Sequence, residues 1–294
     1  MDWKTKEKII KYILLFFALS SIFFLTGIVI VLFREGLPIF NKIGIIDFIF
    51  GKEWYPTYDP SSYGILSLIM GSLLVTFGAM VFSVPIGLAS SVFISYILPK
   101  KLKTFVKPTI ELLAGIPSVI YGLFGMKILG PFLKNVFGLP TGLTALTASI
   151  MLGIMALPTI ISLSEDAITS IPKRYRDASL ALGGTRWETI SKVILPTASS
   201  GIVTAVILGM GRAIGETMTV LMVAGGAAAM PSSFLKPVRP MTATIAAEMG
   251  EAPVGSEHYQ ALFGIAIILF IITLSFNILA DLASRRFKKK VSGQ

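Results

Sequence analysis

The chain contains no cysteine and only one histidine, His258. Disulfides, thiol chemistry and cysteine-based metal sites are excluded, and so is a metal centre built from several histidines. Charge is scarce as well: 14% of the residues are Asp, Glu, Lys or Arg, against about 25% in an ordinary soluble domain. No Gly-x4-Gly-Lys-Ser/Thr phosphate loop occurs, so the chain is not expected to bind ATP or any other cofactor. Nor does it offer a nucleophile triad, a metal cluster or a carboxylate pair on a polar face, and no enzymatic activity is expected.

What the chain has instead is apolar length. Of its 294 residues 54% are hydrophobic, and the mean hydropathy is +0.79. A soluble fold could not bury that much apolar surface and still present a wet exterior. The net charge of +10 would suggest nucleic acid in a soluble protein. Here the basic residues stand at the ends of apolar runs, as topology signals do, so no nucleic-acid partner is expected. The first run, Tyr12 to Phe33, is 22 residues long, longer than a signal-peptide core of about 7–15. It reads as a retained first helix.

A spanning helix needs about 20 apolar residues. Six spans are predicted, near residues 12–33, 64–98, 108–130, 142–163, 199–225 and 262–282. The second run exceeds one span yet falls short of two with a turn. It reads as one long helix carrying Pro85 and Gly87, entered by an interfacial segment near Tyr63. With this division eighteen of the 26 lysines and arginines lie on one side and seven on the other, with Arg212 inside the fifth span. Both termini are therefore expected in the cytoplasm. The predicted architecture is an all-α polytopic membrane protein in contact with lipid. A first helix and outer loop occupy 1–63, a transmembrane domain with a cytoplasmic loop at 164–197 occupies 64–284, and a basic tail occupies 285–294.

Two features break the apolar pattern. Between Glu111 and Lys127 lie only 15 uncharged residues, roughly 22 Å of helix against a bilayer core of about 30 Å. Gly115 and Pro117 interrupt that stretch. Such a span either lines a protein-enclosed or wet path, or is tilted with Lys127 snorkelling. The second feature is Arg212, roughly 20 Å into the fifth span by helix rise, with Glu216 expected one turn later on the same face. A central arginine costs about 2.5–3.5 kcal/mol to insert, so this pair must face other helices or a wet cavity. It is either a structural salt bridge or an oxyanion site, since guanidinium presents a planar fork of donors.

The loop between the fourth and fifth spans is predicted to run from Ser164 to Lys192. Tyr175 to Leu182 reads as a short helix ended by Gly183-Gly184. Thr185-Arg186-Trp187-Glu188 reads as a capping box opening a second helix towards Leu195-Pro196. This compact protrusion is either an ordinary structured loop or a shape suited to a groove on a partner.

The spacing Asp177-Ala178-Ser179-x3-Gly183-x9-Val193-x-Leu195-Pro196 resembles the "EAA" loop of ABC importer permeases, Glu-Ala-Ala-x3-Gly-x9-Ile-x-Leu-Pro. Asp, Ser and Val replace Glu, Ala and Ile; the spacing holds. The resemblance implies a type I ABC importer permease fold and a coupling helix that inserts into an ATP-hydrolysing subunit, with Asp177, Ala178, Ser179, Gly183, Leu195 and Pro196 as coupling residues. Gly209-Met210-Gly211-Arg212-Ala213-Ile214-Gly215-Glu216-Thr217-Met218 is similar to a segment of phosphate importer permeases. So are Lys52-Glu53-Trp54, Ile110 to Gly122, and Ala246-Ala247-Glu248-Met249, the first two resembling the C-type rather than the A-type subunit. The resemblance implies a prokaryotic cell membrane, a heterodimer with a second permease, an ATPase dimer that uses the ATP, and an extracytoplasmic phosphate-binding protein. It also implies a role for Arg212 and Glu216 in phosphate movement. Glu111, Pro117 and Ser118, from the interrupted third span, are grouped with them as candidate path residues.

Rival readings are an ABC permease for molybdate, tungstate or phosphonate, and a secondary transporter or channel working alone. The latter predicts an internal repeat and no docking loop, whereas no convincing repeat is visible. Trp54, Tyr55, Tyr58 and Tyr63 read as interfacial anchors or as a contact for the binding protein. Glu248, Glu251, Glu257 and His258 read as a solvated loop rather than a metal site, and the twelve methionines as packing.

Overall fold

The computed structural model describes residues 3–292, with side chains outside the described residues at Lys4, Lys6, Ala280 and from Ala283 onward. Each long apolar run is a helix, the form that satisfies every backbone N–H and C=O within its own segment. The first is α1 (Trp3–Ile43), followed by the short α2 (Ile45–Phe50). A two-stranded antiparallel hairpin, β1 (Trp54–Tyr55) and β2 (Ser62–Tyr63), sets Trp54 opposite Tyr63. The predicted long second span is α3 (Leu66–Val92), extended by a wider π-helical turn, Phe93–Ile97.

The predicted third span is corrected. A helix α4 (Lys100–Leu113) takes up the lysines assigned to a loop, and the chain then breaks. It resumes as α5 (Ser118–Phe124), which continues through a π turn at Gly125–Leu129 into α6 (Gly130–Phe137). The two halves meet at 88°. Pro117 accounts for the position of the break: it has no N–H to continue a helix, and it stands immediately before α5, where none is needed.

Then come α7 (Ala145–Thr169), α8 (Lys173–Ala181) and α9 (Arg186–Glu188). The last runs through a π turn at Thr189–Ile194 into α10 (Leu195–Ile214). Here too the prediction is corrected. The fifth span does not continue to Gly225; it stops at Ile214, and α11 (Met218–Val223) starts after a three-residue break. The short α12 (Met241–Glu248) and the long α13 (Glu257–Ser292) complete the chain. Helix α13 runs through residue 285, so no structural boundary separates the last span from the tail, whose basic side chains lie outside the described residues. By length and composition five helices among the described residues can cross a membrane, and the count reaches six when the bent pair α4 and α5–α6 is taken as one span.

Helix α7 is the axis of the bundle, with α3 and α10 packed along it. Of its most apolar stretch 61% is buried, against 0% for α1, which touches chiefly α13. Small residues permit the close approach: a Cβ on Gly87 would lie 2.7 Å from Ile160, and one on Gly209 would lie 2.6 Å from the same side chain. Residues 87, 160 and 209 therefore share one level of the bundle. The α8–α9 turn marks one end of the bundle, here the loop end, and the β-hairpin with α12 marks the other, the hairpin end.

Gly209→Val should therefore overpack the α7–α10 contact and cost about 1–3 kcal/mol, read as a lower unfolding temperature of the detergent-solubilised protein. Adding Ile160→Ala should recover part of the loss.

Candidate functional site

Arg212 follows Gly209 by less than one turn, so its guanidinium lies near the middle of α7 rather than at either end of the bundle. It occupies the last turn of α10. Its Nη2 donates to the Ala114 carbonyl at 3.1 Å, and Ala114 is the residue that ends α4. Terminal carbonyls have no partner within their own helix and carry the negative end of its dipole, so a cation there is well placed. Glu216 makes the complementary contact. Its Oε1 accepts from the Thr219 backbone N–H at 3.3 Å, at the start of α11. A carboxylate at a helix N-terminus satisfies free donors and the positive dipole end.

The expected pairing of Arg212 with Glu216 on one helix face is thus corrected. The helix ends between them, no ion pair joins them among the described residues, and each charge is held by the end of a different helix. The two chain breaks, Ala114–Pro117 and Gly215–Thr217, face each other. Thr219 Oγ1 donates to the Ser118 carbonyl at 3.0 Å, tying α11 to α5, and Tyr121 OH donates to the Leu113 carbonyl at 3.0 Å across the first break. Of the candidate path residues, the fold brings Pro117, Ser118, Arg212 and Glu216 together. Glu111 stands one turn back on α4 and accepts from Ser162 of α7 at 3.1 Å. Thr219, the Ala114 carbonyl and Thr242, whose hydroxyl donates to the Glu216 carbonyl at 2.7 Å, belong to the same constellation and carried no sequence signal. The cavity beside Glu216, lined also by Ser72, Thr76 and Thr242, is about 10 Å³. That is room for about one water.

At the loop end the predicted capping box is present: Glu188 N–H donates to Thr185 Oγ1 at 3.2 Å and Thr185 N–H to Glu188 Oε2 at 3.1 Å. Gly183 has φ +83°, the left-handed region that stops α8 after one short helix. Asp177 and Ala178 are exposed on α8. Ser179 is half-buried, with its hydroxyl 2.9 Å from that of Thr189. Leu182 and Trp187 are 90% and 67% exposed. Leu195 packs against Ile168, Ile194 and Ala198, and Pro196 sits in the first turn of α10. The loop is thus fixed at its root and apolar at its tip. A groove of about 700 Å³ runs along α8, lined by Arg174, Tyr175, Ala178, Leu182 and Lys192 among others.

Residues 83–293 match the family described as binding-protein-dependent transport system inner membrane component. The chain belongs to that family. The matched region contains both breaks, the α8–α9 turn and α12. A probable ABC transporter permease protein YqgH of Bacillus subtilis is 39% identical over 89% of this chain and 85% of its own length. A phosphate transport system permease protein PstC of Mesorhizobium japonicum is 33% identical over 90% of this chain and 84% of its own. The PstC of Pasteurella multocida is also 33% identical, over 94% and 90%. Among solved structures, the chain superposes on a bacterial alginate ABC transporter, crystallised with an alginate-bound periplasmic protein, with a TM-score of 0.68 at 17% identity, covering 98% of both chains. The fold is therefore that of ABC importer permeases, and the protein is a multi-pass component of a transporter in the cell membrane.

Two side-chain clusters outside the breaks correct the sequence reading. The loop predicted from Ser164 begins later, because α7 extends to Thr169. Glu165 within it is 2% exposed and bonded to Lys103 and, at 2.7 Å, Lys107 of α4; Lys107 also pairs with Asp166. Lysines that read as topology markers thus pin α4 across α7. At the hairpin end, Glu248 is not in a solvated loop. Its carboxylate accepts from Trp54 Nε1 at 3.0 Å and Arg239 Nη1 at 2.5 Å, and lies 2.8 Å from His258 Nε2. Trp54 and Tyr63 are buried, so neither is an interfacial anchor; Tyr55 and Tyr58, stacked with ring centroids 5.1 Å apart, are exposed. Among the described residues no three His, Asp or Glu side chains converge as a metal site.

Replacing both Lys103 and Lys107 by Met should leave the buried Glu165 uncompensated and cost about 3–5 kcal/mol, measured by thermal unfolding. Adding Glu165→Leu should restore much of the stability.

Proposed function

We propose that this chain is the C-type permease subunit of an ATP-driven importer that carries inorganic phosphate into the cell by alternating access. The observation that carries the reading is Arg212, a guanidinium at mid-depth, bonded to a helix-end carbonyl at the meeting of two helix breaks. Broken helices at mid-membrane are where transporters bind charged substrates, because free backbone groups and a wet path coincide there. The guanidinium fork matches phosphate oxygens, and the PstC relatives are named for phosphate transport.

In this reading both termini and the α8–α9 turn face the cytoplasm. The turn docks into an ATPase dimer through Asp177, Ala178 and the exposed Leu182; that dimer binds and hydrolyses the ATP. A second, related permease covers the open side of the breaks, and a phosphate-binding protein delivers the anion at the hairpin end. Movement of the turn re-angles α4 against α5. The Ala114 carbonyl then leaves Arg212, whose charge passes to the anion. Glu216, held at the start of α11, accepts a hydrogen bond from a phosphate hydroxyl, which fully deprotonated sulfate does not offer.

Arg212→Gln should lower phosphate uptake by about tenfold or more at unchanged membrane abundance, the scale of a lost charged hydrogen bond. Unchanged uptake would refute the role of Arg212. Gly183→Val, a β-branched residue forced to φ +83°, should reduce copurification of the ATPase while leaving the permease in the membrane.

A further inference from the structure

Helix α12 links two places that the proposed path does not by itself connect. At its start, Thr242 Oγ1 donates to the Glu216 carbonyl at 2.7 Å, and the Met241 backbone N–H donates to Ser72 of α3 at 2.8 Å. At its last residue, Glu248 is 16% exposed and gathers Trp54, Arg239 and His258 on one carboxylate. Glu248 lies six positions after Thr242, about 9 Å along the helix. Arg239 in turn donates through Nε to the Gly226 carbonyl at 2.9 Å, just beyond the end of α11. The same residue pair thus brackets α11: Arg239 reaches past its far end, and α12 reaches the break before its near end.

We propose that Glu248 is a positioning residue for the path. Through Arg239 and α12 it sets where Glu216 and α11 stand relative to Arg212, and it links that position to the β-hairpin through Trp54. A half-buried carboxylate with three donors on three other segments is costly to leave partly bonded, so it holds them in one arrangement. The hairpin carries the exposed Tyr55–Tyr58 stack. A force on that tip therefore reaches α12 through a buried indole hydrogen bond rather than through a flexible loop. The inference rests on the reading of Arg212 and Glu216 as the anion path.

The test uses the complete complex, comprising both permeases, the ATPase and the binding protein, in proteoliposomes, with phosphate uptake and ATP hydrolysis measured together. Thr242→Val removes the hydroxyl and keeps the shape; Thr242→Ser keeps the hydroxyl. Glu248→Gln removes the charge. Glu248→Gln and Thr242→Val should each lower phosphate moved per ATP hydrolysed by about tenfold, Thr242→Ser should restore it, and the double variant should be no worse than the worse single one. Wild-type uptake per ATP in both single variants would overturn the inference, as would multiplied losses in the double variant. Should Glu248→Gln fail to accumulate, Trp54→Phe, which removes only the indole donor to Glu248, takes its place, and wild-type uptake per ATP in that variant would overturn the inference. A wild-type complex that moves no phosphate would refute the proposed function instead.

Discussion

A guanidinium halfway through a membrane bundle must be bonded by something other than bulk water, and this requirement organises the structure. Arg212 is met by the carbonyl that ends α4, which is free only because α4 stops at Ala114. That stop in turn depends on Pro117. Glu216, four residues along the chain, is met by the start of α11, which exists only because α10 stops at Ile214. Two half-buried charges and two helix breaks therefore sustain each other. An uninterrupted span in either place would leave one charge without a partner, at a cost of several kcal/mol.

The surrounding architecture holds the breaks at a fixed depth. Close glycine contacts set α3 and α10 against α7, and the Lys103–Glu165 and Lys107–Glu165 pairs fix the direction from which α4 approaches. Helix α12 holds the second break from the other side. By contrast α1 contributes little to this frame and lies outside it, its apolar surface available to lipid. The rigid root and exposed apolar tip of the α8–α9 turn suit a part that transmits displacement: α9 is continuous with α10, so a push at Trp187 arrives at Arg212 along one helix.

Much of this was legible in the sequence because the bilayer imposes simple rules. The apolar runs located the first, second, fourth and sixth spans, and the Thr185–Glu188 spacing located a helix start that the fold reproduces. Arg212 announced itself by being charged where nothing else was. What escaped the sequence depended on contacts between distant segments. Glu165 and Lys107 look like ordinary loop charges until α4 is laid across α7. Glu248 looks solvated until Trp54, 194 positions away, closes over it. The expected shared face of Arg212 and Glu216 failed for a related reason: a helix end at Gly215, whose φ of −86° is not left-handed, carries little local signal, and spacing by four implies a shared face only while the helix continues.

The absence of cysteine makes the central claim directly measurable. A single cysteine can be placed at Pro117 or Gly215, one in each break, and at the exposed Phe23 of α1 as a lipid-facing control. Each assembled complex is then treated with a small, charged, membrane-impermeant thiol reagent. If the breaks form the anion path, the first two positions react, at rates that change when loaded binding protein and ATP drive turnover, and the Phe23 position does not. If both break positions stay as unreactive as the control in every state, no aqueous path passes between them and the account is wrong.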